Sequence, residues 1–194
     1  MRAKEYYNRV AEKYSAMITR GIGGTLKDRE KNCLMGLLSP KEGEKILDVG
    51  CGSGFYASLI KRCGASVFCV DISPGMVEVV KSLGIEAEVH DVEKLSLNRR
   101  FDKVLCAGPL EFCKSPLAAL ENLRHHLSKE GCMVLSVLNV SLIGVAYKIY
   151  HLSHGISMNL FSLNRITALL DQAGFNIEKI EKPTSFMYAI RARL

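Results

Sequence analysis

The 194-residue chain is 48% hydrophobic and 24% charged, the balance of one globular domain and not of a disordered chain. No stretch reaches the roughly 18 consecutive apolar residues of a membrane span, and the polar start Met1-Arg2-Ala3-Lys4-Glu5-Tyr6 lacks a signal-peptide core, so a cytoplasmic protein is expected. The formal net charge of +6 is spread along the chain with no run longer than Arg99-Arg100, and no nucleic-acid partner is expected from it.

Residues 4–38 read as helical, with Tyr7, Val10, Ala11 and Tyr14 at spacings that share one face. Lys45–Val49 then reads as a first strand, followed by a glycine turn and a helix from about Phe55 to Arg62. Ser66–Ile72 is a second strand, and Pro74 opens a helix at the position where a missing N–H costs nothing, with Gly84 closing it. Ala87–His90 makes a short third strand and Phe101–Cys106 a fourth. A helix over Pro116–Leu127 leads through a Glu130-Gly131 turn into a fifth strand, Cys132–Leu138. This alternation predicts a doubly wound α/β domain with a parallel sheet and helices on both faces.

Residues 140–160 are apolar, aromatic and interrupted by glycine, and they carry no clear period. A helix over Leu163–Ala173 ends at Gly174, in a capping position. Asn176–Glu181 and Met187–Arg193 are strand-like and too close together for a helical crossover, so this last pair is expected to be antiparallel. Seven cysteines include no Cys-x-x-Cys pair and no zinc-ligand spacing with histidine. They read as buried thiols, and no metal site is expected.

The chemistry concentrates in Asp48-Val49-Gly50-Cys51-Gly52-Ser53-Gly54, where a strand runs through three alternating glycines into a helix. Glycines let a backbone approach a ligand, and the helix amino terminus adds unpaired N–H groups. Asp71, nineteen residues beyond Gly52, ends the second strand, where a carboxylate can accept two ribose hydroxyls. Asp91 ends the third strand within reach of an adenine amino group. Asp48 ends the first and can order the loop or accept from a cationic amine. One such Asp is commonly a cap, but three at successive strand ends of one sheet point to a nucleotide-like ligand.

With these residues in place the chain resembles the class I S-adenosylmethionine-dependent methyltransferases, in the small-molecule branch that includes quinone-biosynthesis enzymes. The likeness rests on Asp48 to Gly54, on Val70-Asp71-Ile72-Ser73-Pro74-Gly75-Met76 and on His90-Asp91-Val92. Phe101 to Phe112 and Leu120 to Cys132 fit the same pattern. It implies a Rossmann-like seven-stranded sheet, mostly parallel with the last strand antiparallel. It also implies one domain over 1–194: a helical lid at 1–42, a cofactor-binding core at 43–139, an acceptor-side insertion at 140–162 and a closing helix and strand pair at 163–194. The resemblance assigns S-adenosylmethionine, with S-adenosylhomocysteine as product, to Asp48, Gly50, Cys51, Gly52 and Gly54 on the methionine and ribose side. Asp71 goes to the ribose, Ile72 and Met76 flank the adenine, Asp91 and Val92 hold its edge, and the Cys106-Ala107-Gly108 backbone lies beside the sulfonium. Tyr6 and Tyr14 are assigned to a lid.

Gly52-Ser53-Gly54-Phe55-Tyr56-Ala57 also satisfies the dinucleotide fingerprint, so an NAD-binding oxidoreductase is the main alternative. Asp48, Gly50 and Asp91 have no role in that fingerprint. A non-catalytic cofactor-binding partner subunit is a further alternative. For an acceptor that must lose a proton, the candidate bases are Glu111, His151 and His154. Ala107-Gly108-Pro109-Leu110 lacks the Asn/Asp-Pro-Pro-aromatic signature of enzymes acting on amide or exocyclic nitrogens. The apolar run from Val140 to Tyr150 suits a hydrophobic pocket wall or contact with a membrane surface. A small lipophilic or aromatic acceptor, methylated on oxygen or carbon, is therefore expected. The acceptor's identity and the oligomeric state are not legible.

Overall fold

The computed structural model describes residues 4–8 and 22–194. Seven strands form one sheet: β1 (Lys45–Val49), β2 (Ser66–Asp71), β3 (Glu86–Val89), β4 (Phe101–Ala107), β5 (Leu127–Leu138), β6 (Asn176–Thr184) and β7 (Met187–Arg193). Their order is β3-β2-β1-β4-β5-β7-β6. The first five are mutually parallel, and β7 runs antiparallel to both β5 and β6. The expected Rossmann-like architecture, with the last strand reversed, is what the chain adopts.

Strands buried on both faces need continuous apolar runs, and β1 and β4 supply them. On one face Leu47, Phe68, Val104 and Leu135 pack under helices α4 (Pro116–His125) and α6 (Leu163–Gln172) through Leu120, Leu123, Ile166 and Leu170. On the other, Ile46, Cys69, Leu105 and Val134 meet α1 (Ile22–Leu38), α2 (Phe55–Arg62) and α3 (Pro74–Ser82). A further helix, α5 (Leu142–Ser153), buries little besides Gly144 and His151.

Serine caps set the helix starts. Ser73, Ser115, Ser141 and Ser162 each accept the backbone N–H three residues on, and Pro follows the first two. Ser141 marks the helix that the apolar 140–160 run concealed.

The stretch before β5 departs from expectation. α4 stops at His125 because His126 turns inward: its Nε2 accepts the Leu97 N–H at 2.7 Å and its Nδ1–H donates to the Asn122 carbonyl at 2.6 Å. β5 then begins at Leu127, paired with Phe101, and resumes at Cys132 opposite Lys103. The expected Glu130-Gly131 turn is therefore an irregularity inside one long strand. A Cβ on Gly131 would lie 2.9 Å from the Ser128 carbonyl oxygen and 3.0 Å from that of Asp102. Gly131→Ala is expected to destabilise the fold by about 1–3 kcal/mol. Gly36→Ala, in α1 with no atom within 4 Å of the added Cβ, should instead stabilise it by about 0.5–1 kcal/mol. Urea unfolding of the two variants checks both signs.

Candidate active site

The strand order reverses between β1 and β4, and in sheets of this kind ligands bind beyond the carboxyl ends of the strands at that point. The loops there are built to meet. Gly50 has φ +64°, and a Cβ on it would stand 2.8 Å from Cβ of Pro109, in the loop after β4. Only glycine lets these loops close against each other. Gly50 N–H donates to the Val70 carbonyl at 2.8 Å, so the chain turns back over β2.

Asp71, at the end of β2, ties the neighbouring loops together. One oxygen accepts the Gly52 N–H and the other the Ser73 N–H, both at 2.9 Å. Burial pushes its carboxyl above the usual range, and these two N–H bonds oppose the rise. Asp91 caps the short turn Val92–Lys94, accepting the Glu93 N–H at 3.0 Å.

Below the glycine loop Asp48 is 1% exposed. Burial, reinforced by the charge of Asp71, pushes it up to about 7, against the pull of Lys27 and of the Ala57 backbone N–H. Its Oδ2 has no partner, a buried acceptor facing an unmet demand.

A cavity of about 210 Å³ opens over these loops. Gly50, Gly52, Asp71, Ile72, Met76, Asp91, Val92, Ala107 and Gly108 line it among the residues expected from sequence, and Glu111 reaches it too. Tyr7, His90, Glu93, Pro109, Phe112, Cys113 and Tyr147 also line it, and sequence reasoning missed them. Most adjoin an expected residue at a strand end, which was the available signal.

Other expected residues stand elsewhere. Cys51 turns its thiol into the core against Cys69. The Cys106 side chain is fully buried in the other core, beneath Ala107 and Gly108. Gly54 caps α2 with φ +78°, and a Cβ there would meet Leu83 and Val80 at 3.1 and 3.2 Å, so its role is helix packing. Tyr6 faces the rings of His151 and His154 at 6.1 and 6.2 Å, leaving Tyr7 to face the cavity. Tyr14 lies outside the described residues.

Of the three candidate bases only Glu111 lines the cavity. It sits in the turn Pro109–Phe112, and its Oε1 accepts the Leu138 N–H at 2.7 Å. Burial raises its carboxyl to about 8, against that bond. Asn159 fixes the turn, its N–H donating to the Glu111 carbonyl at 2.6 Å and its side chain to Cys113 O at 2.7 Å. His151 is buried among Tyr147, Tyr150, Phe112 and Tyr6, with its Nδ1–H donated to the Tyr147 carbonyl at 3.0 Å. His154 is exposed, bonded to the Tyr150 carbonyl. Both histidines are structural groups of α5, outside the cavity lining.

Residues 27–180 match a methyltransferase domain family. The chain belongs to that family. It is 26% identical over 172 residues to the ubiquinone biosynthesis O-methyltransferase of Xylella fastidiosa, covering 80% of this chain and 70% of that protein. The mitochondrial ubiquinone biosynthesis O-methyltransferase of Schizosaccharomyces pombe is 37% identical over 124 residues, covering 59% of this chain and 43% of that one. This chain thus spans less than half of the second relative. In fold it is similar to magnesium protoporphyrin IX methyltransferase from Synechocystis PCC 6803 with bound S-adenosylhomocysteine, at TM-score 0.75 and 18% identity over 98% of both chains.

The family is one of S-adenosylmethionine-dependent methyltransferases acting on small molecules, and methyl transfer displaces the nicotinamide alternative. The residues present fit that cofactor. Gly50, Gly52 and the acid Asp71 line one cavity, and the expected Asp48 stands buried two residues ahead of Gly50, outside that lining, with an orphan carboxylate oxygen.

Asp48 and Glu111 both have folded-state values above their ordinary ones, so each ionises more readily in the unfolded chain. What they contribute to stability is fully present below the ordinary carboxylate value and is lost as pH rises through about 7 for Asp48 and about 8 for Glu111. Glu111→Gln, which keeps an acceptor for Leu138 N–H, is expected to gain stability relative to wild type as pH rises from 4.5 to about 8. Urea midpoints at both ends of that window check the sign; a constant difference would mean that Glu111 is not held neutral.

Proposed function

We propose that this chain transfers a methyl group from S-adenosylmethionine to a small lipophilic or aromatic acceptor, at an oxygen or carbon atom, with Glu111 as general base. The observation that carries the reading is the cavity joining the loops after β1, β2 and β3 to an aromatic wall with a buried carboxyl group.

In this assignment Asp71 accepts the ribose hydroxyls, because each of its oxygens uses one lone pair on backbone N–H and keeps another. Ile72 and Met76 flank the adenine, and Asp91 with the Val92 backbone takes its edge. Asp48 balances the cationic amino group through the loop. The cofactor supplies an electrophilic methyl group on a sulfonium. The chain's own task is to hold the acceptor in line and at contact distance.

The wall opposite is made by Tyr7, Pro109, Phe112 and Tyr147, with Glu111 between them. Such a wall suits a flat apolar ring and disfavours a charged or heavily hydrated acceptor. Glu111, raised by burial, is matched to a weakly acidic hydroxyl or carbon acid. Its bond from Leu138 N–H leaves the second carboxyl oxygen to take the proton. The names of the quinone-pathway relatives support the same chemistry.

Two measurements test this reading. Calorimetric titration with S-adenosylmethionine should show binding that Asp71→Ala weakens by about 10–150-fold. Methyl transfer to a simple phenol should rise with pH through about 8, and Glu111→Gln should lose that rise while still binding cofactor. Cofactor binding without turnover of any phenol, quinol or carbon acid would favour a non-catalytic partner subunit.

A further inference from the structure

α5 reverses the usual order of a surface helix. Seven of its twelve residues are large apolar or aromatic side chains exposed to solvent. Leu142 is 92% exposed, Ile149 61% and Leu152 60%. At 100° per residue Leu142, Val145, Ile149 and Leu152 fall on one outward face. Gly144 and His151 occupy the inward one, where a Cβ on Gly144 would collide with the Asn139 carbonyl oxygen. Tyr150 and Lys148 stand on opposite flanks of the apolar face.

We propose that this face of α5 is a docking surface for an anionic lipid bilayer, set at the mouth of the acceptor cavity. Three observations select a bilayer over another occupant. The chain has no Asp or Glu between Glu130 and Asp171, while Lys148 and Arg165 lie in that stretch, so α5 itself carries no charge that an anionic surface would repel and one, Lys148, that it would attract. Apolar face outward with a tyrosine and a lysine at its margins is the layout of a helix lying in the headgroup boundary. The patch is also small: a helix of about 18 Å presents four apolar residues on that face, Leu142, Val145, Ile149 and Leu152, whereas a stable protein interface takes roughly 20–30 residues a side. Among the described residues no helix is long and apolar enough to cross a membrane, so α5 lies on the surface of the bilayer.

The same helix supplies Tyr147 to the cavity wall. A lipophilic acceptor dissolved in the bilayer would then reach the cavity without crossing water. This use of the surface rests on the acceptor reading above, but vesicle binding itself does not.

The test is flotation of the purified chain with vesicles of phosphatidylcholine alone and of phosphatidylcholine mixed with phosphatidylglycerol. The wild-type chain should float with the mixed vesicles and less with the neutral ones. Leu142→Glu with Ile149→Glu should reduce the bound fraction at least about tenfold, and Lys148→Glu should erase the preference for the anionic lipid. Both changes lie on exposed positions, and unaltered S-adenosylmethionine affinity of the variants confirms that the fold is intact. A wild-type chain that stays in solution with both vesicles overturns the proposal, as does vesicle binding that the double variant leaves unchanged. A dimer in sedimentation equilibrium that the double variant dissociates also overturns it, assigning the face to a second copy of the chain. Vesicle binding together with failure to methylate a soluble phenol would count against the acceptor reading alone.

Discussion

The site depends on one carboxylate. Asp71 accepts backbone N–H groups from two loops, Gly52 in the first and Ser73 in the second. Without those bonds the buried Ser73 N–H and the part-buried Gly52 N–H would lose their partner, at a cost of up to about 1–3 kcal/mol each. The carboxylate is therefore both a clamp for the loops and a ligand group in the proposed assignment. The first role fixes the geometry needed for the second.

That clamp works only because glycine stands on the facing loop. Gly50 lies against Pro109 so closely that any side chain would push the β1 and β4 loops apart. The turn after β4 then carries Glu111 to the cavity, and the Leu138 N–H at the end of β5 holds it there. Three adjacent strands thus fix the cavity through backbone contacts, with few long side chains involved.

The same constraint decides which parts of the site are legible in the amino-acid order. Glycine at a strand end and an acid at the next strand end are local features with a fixed spacing, so Gly50, Gly52, Asp71 and Asp91 can be picked out from the sequence alone. β1 and β4, buried on both faces, stand out as apolar runs. α5 does not, because a helix with apolar residues both on its flanks and outward carries no inside–outside period. Its Ser141 cap is the one local sign. The choice of Tyr7 over Tyr6 for the cavity, and of Glu111 over His151 and His154, depends on how α5 and residues 4–8 pack together, which no spacing encodes. The true start of β5 is hidden by an inward-turned His126, a contact to Leu97 from 29 residues away.

The two raised acids carry a further consequence. A carboxyl group that stays protonated near neutrality adds no negative charge, so Asp48 and Glu111 make the folded chain more basic than its formal +6. Folding near neutral pH therefore draws protons from the buffer, and unfolding gives them back. The native protein should migrate toward the cathode faster than charge counting allows. Any ligand whose positive group neutralises Asp48 will release a proton on binding, and the measured heat of that binding will depend on the ionisation enthalpy of the buffer.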